Sequence, residues 1–77
     1  MLKLSPQWGE FFRTQPETGM GYWICSVVLK DGRVLDRAVI DGGTITSVDG
    51  NPDILFDESD ISKFIVTHDK SALGAPK

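Results

Sequence analysis

Apolar and polar positions alternate over short stretches, which predicts brief strands separated by tight turns. The strongest segment is Tyr22–Lys30 (YWICSVVLK), which is rich in aromatic and β-branched residues and apolar on both of its faces. A strand that is apolar on both faces is typical of a central position in a sheet. We therefore expect this segment to lie inside a small sheet that is closed or is covered on both sides.

Three turn signals divide the middle of the chain: Asp31-Gly32, Gly42-Gly43 and Asp49-Gly50-Asn51-Pro52. We predict that Asp31-Gly32 forms a two-residue type I′ hairpin turn, which needs positive φ at both residues. After this turn the alternation is only partial, and a β-bulge near Asp36 would restore its phase.

The later elements are short. Asp57 can be the N-cap of a single helical or 3₁₀ turn. Acids also stand in the first turn of this element, where they are favourable. We predict four strands after the first turn, at Arg33–Asp41, Thr44–Val48, Asp53–Phe56 and Lys63–Thr67.

The N-terminal region predicts a short helix instead of a strand. Ser5 can be the N-cap and Pro6 the first helical residue of a helix over Pro6–Thr14. The spacing of Trp8, Phe11 and Phe12 then places three aromatic side chains on one face. Residues 15–21 (QPETGMG) are expected to form a loop.

These elements predict a mainly β protein: a small antiparallel barrel or bent meander of four to five strands. A short helix precedes the strands, and one helical turn precedes the last of them. The size and rhythm are those of an SH3-like barrel, which is the leading expectation. The 77 residues allow one domain, with an N-terminal arm at 1–20, a β core at 21–67 and a mobile tail at 68–77.

Composition indicates an ordinary soluble domain, with 40% hydrophobic and 25% charged residues. The single cysteine, Cys25, excludes an intrachain disulfide and favours a reducing compartment. No apolar run approaches the roughly 20 residues of a membrane span, and the first residues do not read as a signal peptide. We expect a cytoplasmic protein that does not interact with membranes.

The charged hairpin tip Lys30-Asp31-Gly32-Arg33 is first of all a solvated bend. The strand, turn and second strand around it resemble the first motif of Sm-like RNA-binding barrels, a resemblance that covers about 20 of the 77 residues. It implies a small barrel and an RNA site. Asp36-Arg37 stands where that family has a glycine, and Asp49-Gly50 replaces its later Arg-Gly. Nucleic-acid binding through Lys30, Arg33 and Arg37 is therefore the last of three hypotheses, also because the net charge is −3.

The acidic stretch 49–60 contains five acids and no base. Its oxygen-bearing residues follow the spacing of an EF-hand calcium loop, with Ile54 where that loop needs glycine and an aspartate at its last position. A small ligand-binding or metal-binding protein is thus the second hypothesis. Its ligands would be Asp49, Asn51, Asp53, Asp57 and Asp60.

No catalytic, cofactor-binding or metal-binding set of residues emerges from the sequence. His68-Asp69 lacks a nucleophile nearby, and Cys25 lies in mid-strand, where we expect it to be buried and inert. The first hypothesis is therefore a non-enzymatic protein-binding module. Its partner is unidentified, and a basic partner would be complementary to the acidic surface. Self-association stays open. The candidate partner-binding residues are the N-terminal aromatics and the later acids: Trp8, Phe11, Phe12, Tyr22, Trp23, Asp53, Asp57, Glu58 and Asp60.

Overall fold

The computed structural model describes residues 1–70, in which five antiparallel strands curl into a half-barrel. The strand order across the sheet is β1-β4-β3-β2-β5, so the strand predicted to be central has a neighbour on each side. In chain order, the elements are β1 (Leu2–Lys3), α1 (Pro6–Arg13), β2 (Tyr22–Leu29), β3 (Val34–Asp41), β4 (Thr44–Val48), a 3₁₀ turn (Glu58–Asp60) and β5 (Ile61–Val66).

The predicted bulge in β3 is confirmed. Cys25 pairs with Ala38 and Val27 pairs with Leu35, so two residues of β3 stand opposite the single residue Ser26. The buried Ser26 Oγ donates a 2.7 Å hydrogen bond to the Asp36 carboxylate. The other bulge residue, Arg37, has a φ of 59°, which bends the strand and resets its alternation.

The hairpin between β2 and β3 differs from the prediction. Only Gly32 has positive φ, at 96°, so the two-residue type I′ turn over Asp31-Gly32 is wrong. Leu29 N–H donates to Arg33 O at 2.8 Å and Gly32 N–H to Leu29 O at 3.0 Å, which closes a three-residue loop. A loop of this length that ends in a left-handed residue also fits the twist of a hairpin, and glycine takes that place without strain.

The N-terminal arm connects the two edges of the sheet. β1 pairs with β4 at one edge, and the helix α1 packs its aromatic side chains onto Phe64 of β5, the strand at the other edge. The Ser5 N–H, just before α1, donates to Glu58 Oε2 at 2.8 Å. The helix therefore covers the open side of the half-barrel, where a closed barrel would have further strand pairing.

The core lies between the curled sheet and α1. Its centre consists of side chains from every long strand together with Phe12, and Cys25, Val27, Ala38, Ile40 and Ile45 are fully inaccessible to solvent. Ile24 is equally buried but lies outside this cluster. Apolar side chains on both faces of β2 thus agree with its central place.

The predicted strand at Asp53–Phe56 is wrong, and the fifth strand is Leu2–Lys3. Asn51 is the last residue that pairs back onto β4, because Pro52 has no N–H to donate. Leu2 and Lys3 pair with Ile45 and Thr44, so they occupy part of the outer edge of β4.

The remaining predicted elements agree with the structure within two residues, and Asp57 directly precedes the 3₁₀ turn as predicted. The SH3-like assignment stays a prediction. Most of the predicted mobile tail, at 71–77, lies outside the described residues.

Candidate protein-binding cleft

A cleft of about 190 Å³ opens where the chain passes from β4 to the 3₁₀ turn. Most of its wall is apolar, and its polar members are one arginine, one asparagine and one aspartate. The lining residues are Arg33, Leu35, Val48, Asn51, Asp53, Ile54, Leu55 and Phe56.

The turn after β4 fixes the start of the cleft wall. Asp49 and Gly50 have φ values of 54° and 82°, and Val48 and Asn51 exchange two backbone hydrogen bonds at 2.9 and 3.0 Å. Asn51 Oδ1 then accepts a 2.9 Å hydrogen bond from the Asp53 N–H. The N-terminal ammonium donates to Pro52 O at 3.0 Å, so the chain is held on both sides of this turn.

The segment 53–57, here called the acidic wall, alternates between exposed and half-buried residues, bends at Phe56 and has no strand partner. Ile54 and Phe56 are half-buried and pack against the core. Asp53, Leu55 and Asp57 are exposed, and Leu55 is 89% accessible. An alternation with a period of two is the side-chain pattern of extended backbone.

The acids predicted to bind a partner have different surroundings. Glu58 accepts the Ser5 N–H, and Asp60 Oδ2 accepts the Asp57 N–H at 2.9 Å, so both carboxylates hold the fold together. Asp53 and Asp57 have no ion pair with any residue of the described chain. The Asp57 side chain also takes part in a capping box with Asp60, so Asp53 is the carboxylate left to meet a partner.

The proposed metal ligands are not brought together. Asp49 forms an ion pair with Arg37 across the bulge, and the hydrogen bond from this guanidinium lowers the pKa of the Asp49 carboxyl. Asn51 uses its side-chain oxygen within its own turn. Within residues 1–70, no three histidine, cysteine or acidic side chains are placed to hold a metal ion.

The N-terminal aromatics form a cluster that belongs mainly to the core. Phe12 is 2% accessible, and its ring centroid lies 4.9 Å from that of Phe64 and 5.4 Å from that of Trp23. Trp8 is half-buried, 4.8 Å from Phe64 in an edge-to-face arrangement. Trp23 donates its indole N–H to Gln15 O at 3.0 Å. Phe12, a predicted partner-binding residue, therefore does not reach the surface.

The other two predicted aromatics, Phe11 and Tyr22, are half-buried. The Phe11 ring lies between its helical neighbours, with centroids 6.1 Å from Trp8 and 5.1 Å from Phe12. The Tyr22 ring lies against Gly19, where an added Cβ would stand 2.4 Å from a ring carbon. Both side chains are thus partly engaged in packing.

The cations predicted to bind nucleic acid are largely paired. Arg33 Nε contacts Asp31 Oδ2 at 2.8 Å, and the Arg33 N–H donates to the other carboxylate oxygen. That backbone hydrogen bond is the main reason why the pKa of Asp31 is lowered. Arg37 pairs with Asp49. Two of the three candidate cations therefore already have a carboxylate partner.

The polar groups considered for catalysis have structural surroundings. His68 Nδ1 lies 2.6 Å from Thr18 Oγ1, which also accepts the Ile24 N–H at 2.9 Å. Burial raises the pKa of the Cys25 thiol to about 12, so the thiol stays protonated and unreactive. The prediction that Cys25 is buried is confirmed.

Sequence reasoning missed all the apolar residues of the cleft lining: Leu35, Val48, Ile54, Leu55 and Phe56. One signal was present in the sequence. Ile54, Leu55 and Phe56 are three consecutive large apolar residues. In extended backbone, neighbouring side chains point to opposite faces, so if Ile54 and Phe56 face the core, Leu55 faces solvent.

The chain matches no protein-family model, and no curated protein or solved structure is significantly similar to it. In the part of the chain that the structure describes, no helix is long and apolar enough to cross a membrane. A functional assignment therefore rests on the geometry of the cleft and its acidic wall.

Proposed function

We propose that this protein is a non-enzymatic protein-binding module, an SH3-like small barrel in its size and rhythm, that holds a segment of its partner in the cleft. The observation that carries this proposal is the position of Leu55. Its side chain is 89% accessible at the mouth of an apolar cleft, between two carboxylates without ion-pair partners. Apolar surface next to a depression is the usual anchor site of a protein interface.

The size of the cleft favours a side chain over a small molecule. Pockets for drug-sized ligands and cofactors usually measure about 300–1,000 Å³. The cleft measures about 190 Å³, which suits one or two partner side chains. A protein segment that crosses the cleft would use its backbone and neighbouring residues for the rest of the contact.

Charge selects among such segments. The stretch 49–60 has five acids and no base, and among them Asp53 is the one whose carboxylate has no hydrogen bond or ion pair with the described residues. A partner with lysine or arginine beside its apolar anchor would associate faster and be preferred over an acidic one.

A pair of matched variants tests the proposal. We would select binders from a displayed library of random seven-residue peptides and measure their affinity by fluorescence anisotropy for the wild type, Leu55→Glu and Met20→Glu. Both side chains are exposed, at 89% and 96%, so neither substitution removes core packing. Met20 lies in the predicted loop 15–21, far along the chain from the cleft.

We expect Leu55→Glu to weaken binding about 10–100-fold, because a fully buried leucine contributes about 1.5–3 kcal/mol. Met20→Glu should leave the affinity unchanged. Peptides that bind Leu55→Glu as well as the wild type, or a library that yields no binder, would refute the cleft as the binding site.

A further inference from the structure

The acidic wall has the side-chain pattern of a strand but none of a strand's hydrogen bonds. Among residues 1–70, no hydrogen bond involves Ile54, Leu55 or Phe56, either through the backbone or otherwise. Their N–H and C=O groups therefore have no hydrogen-bond partner within residues 1–70. Unpaired backbone on an extended segment is the template for strand addition.

We propose that the partner enters as an extended strand that pairs through its backbone with Ile54–Phe56, up to the bend at Phe56, and that it is a peptide segment with a basic residue two positions from an apolar one. This inference rests on the proposed function, because it takes the cleft to be the binding site. It adds the conformation and the side-chain chemistry of the partner.

Both ends of the acidic wall are fixed before any partner arrives. Asp53 is tied to Asn51 by the hydrogen bond from its N–H, and Asp57 is tied to Asp60 in the same way. Ile54 and Phe56 are anchored in the core on the inner side. A segment held in this way loses little conformational entropy when a strand is added to it.

Before the bend at Phe56, the outward face of the wall presents the acid Asp53 and then Leu55. Asp53, Leu55 and Asp57 are the exposed members of the alternation. In a paired strand, side chains directly opposite each other on one face have Cβ atoms about 4.5–5.5 Å apart, and unlike charges at that distance are favourable. The complementary segment carries lysine or arginine opposite Asp53 and an aliphatic residue opposite Leu55.

N-methylation of the best library peptide tests the backbone pairing directly. A methyl group on one amide removes one donor and blocks close approach at that residue, and the side chain is retained. Each residue of the acetylated and amidated peptide would be N-methylated in turn. The affinity of each variant would be measured against the wild-type protein, with hydrogen exchange of the Ile54–Phe56 amides recorded in the free and bound states.

We expect sensitivity with a period of two: methylation at alternate residues weakens binding about tenfold or more, since each loses a hydrogen bond and meets a steric clash. Methylation at the residues between should change it little. The protein amides that pair with the peptide should exchange more slowly in the complex.

The two proposals fail in different ways. If binding requires Leu55 but tolerates N-methylation at every position, strand addition is wrong and the cleft stays the binding site. If binders are acidic or lack charge, the predicted partner chemistry is wrong. If no selected peptide distinguishes the wild type from Leu55→Glu, the proposed function itself fails.

Discussion

Replacing Phe12 by alanine tests whether the N-terminal aromatics are core or interface. The side chain is 2% accessible and is surrounded by three rings, with centroids 4.9–5.4 Å away. Truncation of such a buried phenylalanine costs about 3–5 kcal/mol, the sum of the lost transfer free energy and the cavity left behind. A domain of this size has a total stability of about 3–5 kcal/mol. We therefore expect Phe12→Ala to be largely unfolded at room temperature.

Urea unfolding followed by tryptophan fluorescence measures this effect. Trp23 reports directly, because its ring lies next to Phe12, and far-ultraviolet circular dichroism follows the sheet independently. Phe12→Leu is the conservative control: it keeps apolar volume but loses ring pairs, each of which contributes about 0.5–1.5 kcal/mol. It should fold, with a lower urea midpoint than the wild type. The half-buried neighbour Phe11, changed to alanine, should lose less stability than Phe12→Ala.

A Phe12→Ala protein that unfolds at the same urea concentration as the wild type would refute this packing. The helix α1 would then not be docked on Phe64, and the aromatic face would be free to bind a partner. The binding site would move from the cleft to the N-terminal arm.

Two further changes test the fold at other places. Gly9 lies inside α1, and apart from its chain neighbours and the backbone of its own helix no atom lies within 4 Å of an added Cβ. Gly9→Ala should therefore raise the free energy of unfolding by about 0.5–1 kcal/mol in thermal or urea melts. A loss of stability would place Gly9 in a tighter contact. Arg37 lowers the pKa of Asp49 below its ordinary 3.8, so their pair stabilises the fold above that value, and the gain is lost as pH falls through the lower folded pKa. Asp49→Asn, which tolerates the left-handed turn, should therefore be less stable than the wild type at neutral pH, and the difference should shrink as the pH falls below 3.8. A difference that does not change with pH would exclude the ion pair as the cause.

Local chemistry explains the parts of the fold that could be predicted. The strand β2 follows from a dense run of aromatic and β-branched residues, and Gly42-Gly43 turns the chain because both glycines adopt positive φ, at 59° and 80°. The bulge near Asp36 could be predicted because the side-chain alternation of a strand changes phase only where an extra residue is inserted. Each of these features is decided within a few residues of itself.

The error in strand assignment concerns pairing between distant segments. Asp53–Phe56 has strand-like residues, yet a strand also needs an edge, and Leu2–Lys3 pairs with part of the outer edge of β4. A strand of two residues, Leu2 and Lys3, contains no sequence pattern that indicates pairing with Ile45 and Thr44. Pairing across more than 40 positions depends on the folded sheet and leaves no local pattern.

The candidate site was only partly visible for the same reason. The acids form a run in the sequence, but their roles depend on what the fold places beside them. Asp49 forms an ion pair with Arg37, and Glu58 accepts a hydrogen bond from the Ser5 N–H. The cleft itself joins Leu35 of β3 and Val48 of β4 to the later acidic wall. A wall assembled from separate strands has no single motif in the sequence.

An exposed leucine is by itself ordinary, because apolar atoms make up more than half of a typical protein surface. Comparison with other exposed apolar residues shows what distinguishes Leu55. Met20 is more exposed, but its turn is closed by the hydrogen bond from Tyr22 N–H to Gly19 O. Ile65 is exposed on β5, where it pairs with Ser26 of β2. Leu55 combines exposure, a neighbouring cleft and a backbone without hydrogen bonds in the described chain, and only an added strand would use all three at once.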